Sequence, residues 1–127
     1  MLPIRIQRKR TKGWRAADAA TNGLPVVSVT RPGPWGNPFT VDEEREGLLL
    51  AGHKPGVELD KKAHSLAVRK HREMLRDPHS HSVTSDVRQR FIWMREHLHE
   101  LRGKNLSCYC SLDGECHRDT LIALSNE

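Results

Sequence analysis

The sequence predicts an α/β fold: a single domain with a small, largely parallel sheet and helical crossovers, of Rossmann-like type. Three observations carry that prediction. Two short strand-like runs, "PVVSVT" and "NLSCYC", stand far apart with helical patterns between them. A further helical pattern, "GECHRDTLIALSN", follows the second run directly. The chain has 127 residues, enough to bury a core without a disulfide or metal staple. Residues 1–24 form a basic N-terminal segment with an edge strand and a loop, and residues 25–127 form the α/β domain.

In chain order, "LPIRIQ" (residues 2–7) alternates apolar and polar residues as a short edge strand does. "RKRTKGWR" is a basic loop carrying Trp14. "PVVSVT" (25–30) is β-branched and bounded by Gly23 and Pro32, so it is the second strand. It runs into "RPGPWGNPF" (31–39), where three prolines and two glycines forbid regular structure. Asp42 is placed to cap a short helix ending at Leu50. A polar helix spans residues 60–76, with Leu66, Ala67, Met74 and Leu75 on its inner side and Pro78 beyond its end. Val87, Phe91, Met94, Leu98 and Leu101 then fall on one helical stripe, with Ser85 as cap and Gly103 as closure. "NLSCYC" is the next strand. The last helix has Asp113 as its cap and buries Leu121, Ile122 and Leu124.

Composition narrows the partners. Hydrophobic residues make up 36% and aromatics 5%, which fits a modest core. The net charge of +5 permits a phosphate-bearing partner, and Arg5, Arg8, Lys9, Arg10, Lys12 and Arg15 concentrate it near the start. That run suits contact with a nucleic-acid backbone, or equally a solvated tail. No stretch has the length and apolarity of a membrane span, and no signal-peptide pattern is present. With its three cysteines in one cluster, the chain is expected in a reducing cytoplasm, away from membranes.

That cluster, "LSCYCSLDGECHRD", holds Cys108, Cys110, Cys116 and His117. Zinc held by those four residues is one reading. In an extended strand, however, Cys108 and Cys110 sit roughly 6.5 Å apart, whereas two thiolates on one zinc must be about 4 Å apart. The alternative needs no such bend. Ligand sites in open α/β sheets lie beyond the carboxyl ends of strands, where the next helix begins. Cys110 then stands at the strand end, and Cys116, His117 and Arg118 occupy the first helical turn, where anions and thiolates are favoured. Seven residues separate Cys110 from Arg118, a longer spacing than that of a phosphatase-type phosphate loop. Cys108 reads as a small buried hydrophobe. The loop 31–39 offers Trp35 to stack a base, Arg31 for an anion and Asn37 for a polar edge. Its bland counterpart is a structural turn with Trp35 and Phe39 in the core.

"WGNPF", followed far downstream by "LRGKNLSCYC…CHRDTLIAL", resembles the family of domain of unknown function 4326, common in bacteriophages and actinobacterial genomes. The resemblance covers residues 26–124 and implies an α/β domain of phage or bacterial origin, without implying a reaction. Two departures stand out. Members usually carry an aromatic-x-Gly-Arg run where this chain has "SVTRPGP", and more often a Trp where it has Tyr109. The "CHR" ending is also similar to a second uncharacterised α/β family.

The expectation is therefore a pocket shared by loop 31–39 and the 110–119 junction, taking a nucleotide, nucleoside or modified base. Arg31, Trp35, Gly36, Asn37, Arg118 and Asp119 bind the ligand. Cys110 or Cys116 is the nucleophile of any thiol chemistry, with His117 as proton partner. No cofactor is required. The competing expectations are a nucleic-acid-binding module with zinc on Cys108, Cys110, Cys116 and His117, and an inhibitor of a host bacterial protein.

Overall fold

The computed structural model describes residues 2–110, 112 and 114–127. Three short strands form its sheet: β1 (Arg5–Gln7), β2 (Val26–Ser28) and β3 (Asn105–Cys108). Their spatial order is β1-β3-β2, and both pairings are parallel. Ile6 and Ser28 both lie beside Ser107, so the carboxyl ends of all three strands reach one edge. The central strand is buried along its whole length, as a strand paired on both sides must be.

Helices α1 (Ala16–Ala19), α2 (Val41–Leu50), α3 (Val57–Arg76), α4 (Ser85–His97) and α5 (His117–Ser125) complete the domain. A 3-10 turn at Leu98–Leu101 extends α4, and Gly103, at φ 74°, turns the chain into β3. The core gathers Val29, Trp35, Met74, Leu75, Phe91, Met94, Leu101, Leu106 and Leu121, with Val87, Leu98, Ile122 and Leu124 packed against it. The α4 stripe and the inner face of α5 are thus as the periodicity predicts.

Several boundaries differ from the sequence-based expectation. Thr40 caps α2, its hydroxyl accepting from the Glu43 amide, and Asp42 lies inside the first turn. Thr84 does the same for α4 through Val87, which puts Ser85 at the first helical position. Helix α3 begins at Val57, three residues early, because Gly56 (φ 144°) supplies the turn into it. Leu66 is only half-buried, while Ala63, Val68 and His71 join the buried face. The short α1 follows the basic loop unannounced by any apolar stripe. Strand β3 ends at Cys108, so Tyr109 and Cys110 lie past it. Helix α5 starts from Cys116 as its N-cap, and the expected cap, Asp113, falls outside the described residues.

Two buried polar side chains brace the sheet at its ends. At the amino end Asn105, fully buried, accepts from the Ile4 amide at 2.9 Å and exchanges amide hydrogen bonds with Asn22 at 2.9 and 2.7 Å. At the carboxyl end Arg118, also fully buried, donates to the carbonyls of Ile6, Cys108 and Cys110 at 3.0, 3.1 and 3.0 Å. A hydrogen bond from a charged donor is worth more than a neutral one. Arg118 therefore holds β1, β3 and the turn after β3 together.

Candidate functional site at the carboxyl edge of the sheet

Parallel strands bring the loops that follow them to one edge, and a cavity of about 320 Å³ lies there. Loop 31–39 contributes Arg31, Asn37 and Phe39, and the chain after β3 contributes Cys108, Tyr109, Cys110, Cys116 and His117. The two predicted loops do adjoin. Direct bonds fix them. His117 Nε2 donates to the Val29 carbonyl at 2.7 Å, tying the end of β2 to the start of α5. Asn37 Nδ2 donates to the Ala67 carbonyl at 3.1 Å, and its Oδ1 accepts from the Phe39 amide, which pins loop 31–39 onto α3. His64 Nε2 meets the Glu115 carbonyl at 2.5 Å, and Ser65 donates to the Glu115 carboxylate, so α3 also holds the approach to α5.

The three sulfurs lie within 4.8 Å of one another, with Cys108 and Cys110 only 3.7 Å apart. The strand stops at Cys108, and the turn beyond it removes the spacing that an extended chain would impose. His117 Nδ1 lies 3.6 Å from Cys116 Sγ. Because Nε2 carries the proton given to Val29, Nδ1 turns its lone pair toward that sulfur. Burial lowers the His117 pKa, so the ring is neutral at pH 7. The cluster shares its protons unevenly. Sulfur contacts from Cys110 and Cys116 favour the thiolate on Cys108, while contacts from Cys108 and Cys110 hold Cys116 protonated.

That overturns the expectation for Cys116. Its place at a helix start predicts a lowered pKa, but it is 1% exposed and its neighbours and burial push the pKa up. Trp35 is corrected too. It is 7% exposed and packs on Trp93 with ring centroids 5.0 Å apart, so it offers no face to a base. The structural-turn account of that tryptophan is the right one. Gly36 belongs to the same turn: a Cβ there would stand 2.9 Å from the Arg31 backbone, so only glycine allows this approach. Asn37 lines the cavity, yet both ends of its amide are engaged within the fold. Arg118 faces carbonyls rather than the cavity. Asp119 forms an ion pair with Arg5, Nε 2.9 Å from its carboxylate, and lies away from the cavity wall.

Other residues take the vacated roles. Arg10 lines the cavity and stacks over the Tyr109 ring at 4.1 Å, with Arg8 5.2 Å from the same ring. Phe39, Thr30 and His64 also line the wall, with Val41, Ala67 and Val68. The signal for Arg10 lay in the topology: if "LPIRIQ" joins the sheet in parallel, the basic loop after it must share the edge. Arg5 and Arg8 are likewise engaged, Arg8 donating to Ser28 Oγ at 2.6 Å, while Lys9, Lys12 and Arg15 remain exposed.

Fold and site together define a small parallel-sheet α/β protein with a three-cysteine cluster on the floor of a basic cavity. The chain belongs to the family described as Domain of unknown function (DUF4326), whose model matches residues 6–127. No curated protein and no solved structure matches it. Among the described residues no helix is long and apolar enough to cross a membrane.

Proposed function

We propose that the chain binds a nucleotide, nucleoside or modified base in the cavity between loop 31–39 and the chain after β3. The observation that carries this is the makeup of the wall: Arg10 and Arg31 beside the rings of Tyr109 and Phe39, over a floor of thiols. Guanidinium groups pair with phosphate, and flat aromatic faces accept a base. The volume is near the lower end for ligand pockets, which suits one nucleoside or mononucleotide better than a dinucleotide. In this reading Arg31, exposed at the rim, holds the anionic group, and Tyr109 takes the stacking role expected of Trp35.

Calorimetric titration with nucleosides and their monophosphates tests it. Binding of at least one monophosphate is expected, with Arg31→Ala weakening it about tenfold and the matching nucleoside less, as loss of one charge-assisted contact requires. A panel in which nothing binds, or in which Arg31→Ala affects both equally, overturns the reading.

A further inference from the structure

The geometry points to a metal site: a divalent, thiophilic ion of the zinc class held by Cys108, Cys110 and Cys116, with its fourth position turned to the cavity. Tetrahedral zinc with bonds near 2.3 Å places its sulfur ligands about 3.8 Å apart. Cys108 and Cys110 are already 3.7 Å apart, and all three sulfurs lie within 4.8 Å of one another. Gathering them on one ion takes side-chain adjustment and no refolding. Soft thiolates select zinc over magnesium or calcium.

The surroundings suit the charge. Three thiolates and a divalent ion carry one net negative charge. Arg118 lies against the Cys108 and Cys110 carbonyls, and the amino end of α5 begins at Cys116. Both favour an anion there. His117 is anchored to Val29 through Nε2, with its Nδ1 3.6 Å from Cys116 Sγ. The ligand atoms that lie together are the three sulfurs, without His117. Since all three cysteines also line the cavity, the open position faces whatever the cavity holds. Three protein ligands and one open place is the arrangement of reactive rather than purely structural zinc. The inference does not depend on the ligand class proposed above.

Cobalt(II) titration of reduced, full-length protein tests it. The expected result is one ion per chain, with thiolate-to-cobalt charge transfer in the near ultraviolet and the intense visible bands of tetrahedral cobalt. Added azide should shift those visible bands saturably. Cys110→Ser, at the half-buried member of the set, should weaken cobalt binding on the order of 100-fold or more. On the unmodified chain, zinc should protect all three thiols from alkylation together, and chelator should release them. Substoichiometric cobalt, unchanged binding in Cys110→Ser, or zinc that leaves Cys110 alkylation unslowed overturns the site. Visible bands unmoved by azide overturn the open position. Nucleotide titration in chelator reads the pocket proposal separately.

Discussion

Cys110 is half-buried, whereas Cys108 and Cys116 are 7% and 1% exposed, so access and acidity are divided within one cluster. In chelator at neutral pH, iodoacetamide is expected to modify Cys110 first. Cys108 and Cys116 should lag at least about tenfold, following local opening. Peptide mapping over time orders the three, and Cys116 labelling first would restore the helix-start view of its reactivity. The position of Cys116 was readable from sequence; its proton was not, because burial and two neighbouring sulfurs outweigh one helix terminus. Arg118 and Asp119 make a second contrast. Sequence places both among the ligand contacts, but one is fully buried on three carbonyls and the other is in a partly exposed ion pair. Arg118→Met should cost about 3 kcal/mol or more in urea unfolding, since it leaves buried acceptors unmet. Asp119→Asn should cost less than about 1 kcal/mol. A stable Arg118→Met protein that had lost only ligand binding would return Arg118 to the pocket.

Helix starts separate local from tertiary information in the same way. Helices α2 and α4 were legible, but sequence assigns their caps to Asp42 and Ser85, residue types that rank above threonine at that position. The structure uses the threonine in both. Thr84→Ala is expected to destabilise by about 1 kcal/mol and Ser85→Ala by a few tenths, measured as paired shifts in thermal midpoint. Reversed magnitudes would move the cap. Strand ends behave similarly. "NLSCYC" has no internal stop signal, and the carbonyl contacts of Arg118, eight residues beyond Cys110, mark where the strand yields to the turn.

The molecule as a whole keeps two histidines in its interior next to each other, His71 and His117, with ring centroids 5.1 Å apart. Neither His71 nitrogen has a hydrogen-bond partner among the described residues. Burial depresses both pKa values, that of His71 strongly. Below about pH 6.5 the unfolded chain takes up protons there that the folded chain refuses. Stability is therefore full above that pH and falls as pH drops, by up to about 1.4 kcal/mol per pH unit for each histidine. Urea midpoints at pH 7.5 and 5.5, in chelator, should show that fall, and His71→Met should remove roughly half of it. A flat profile would mean that His71 is hydrated in solution. At this scale the parallel sheet and the meeting of two loops were legible, because right-handed crossovers leave little choice. The third contributor, the loop carrying Arg10, was not, since a three-residue strand gives no direction from its own sequence.

The sheet order has a consequence for how the chain comes to be folded. Strands β1 and β2 do not pair with each other; each pairs only with β3, the last of the three in the sequence. The Asn105 and Arg118 braces span 101 and 112 residues of chain. During synthesis, α1 to α4 emerge before either early strand has a partner. Contacts of such long range slow the search for the native state. Until residues 105–108 leave the ribosome, "RIQ" and "VVS" remain unpaired edges, and that interval is when the nascent chain is most open to association with other chains.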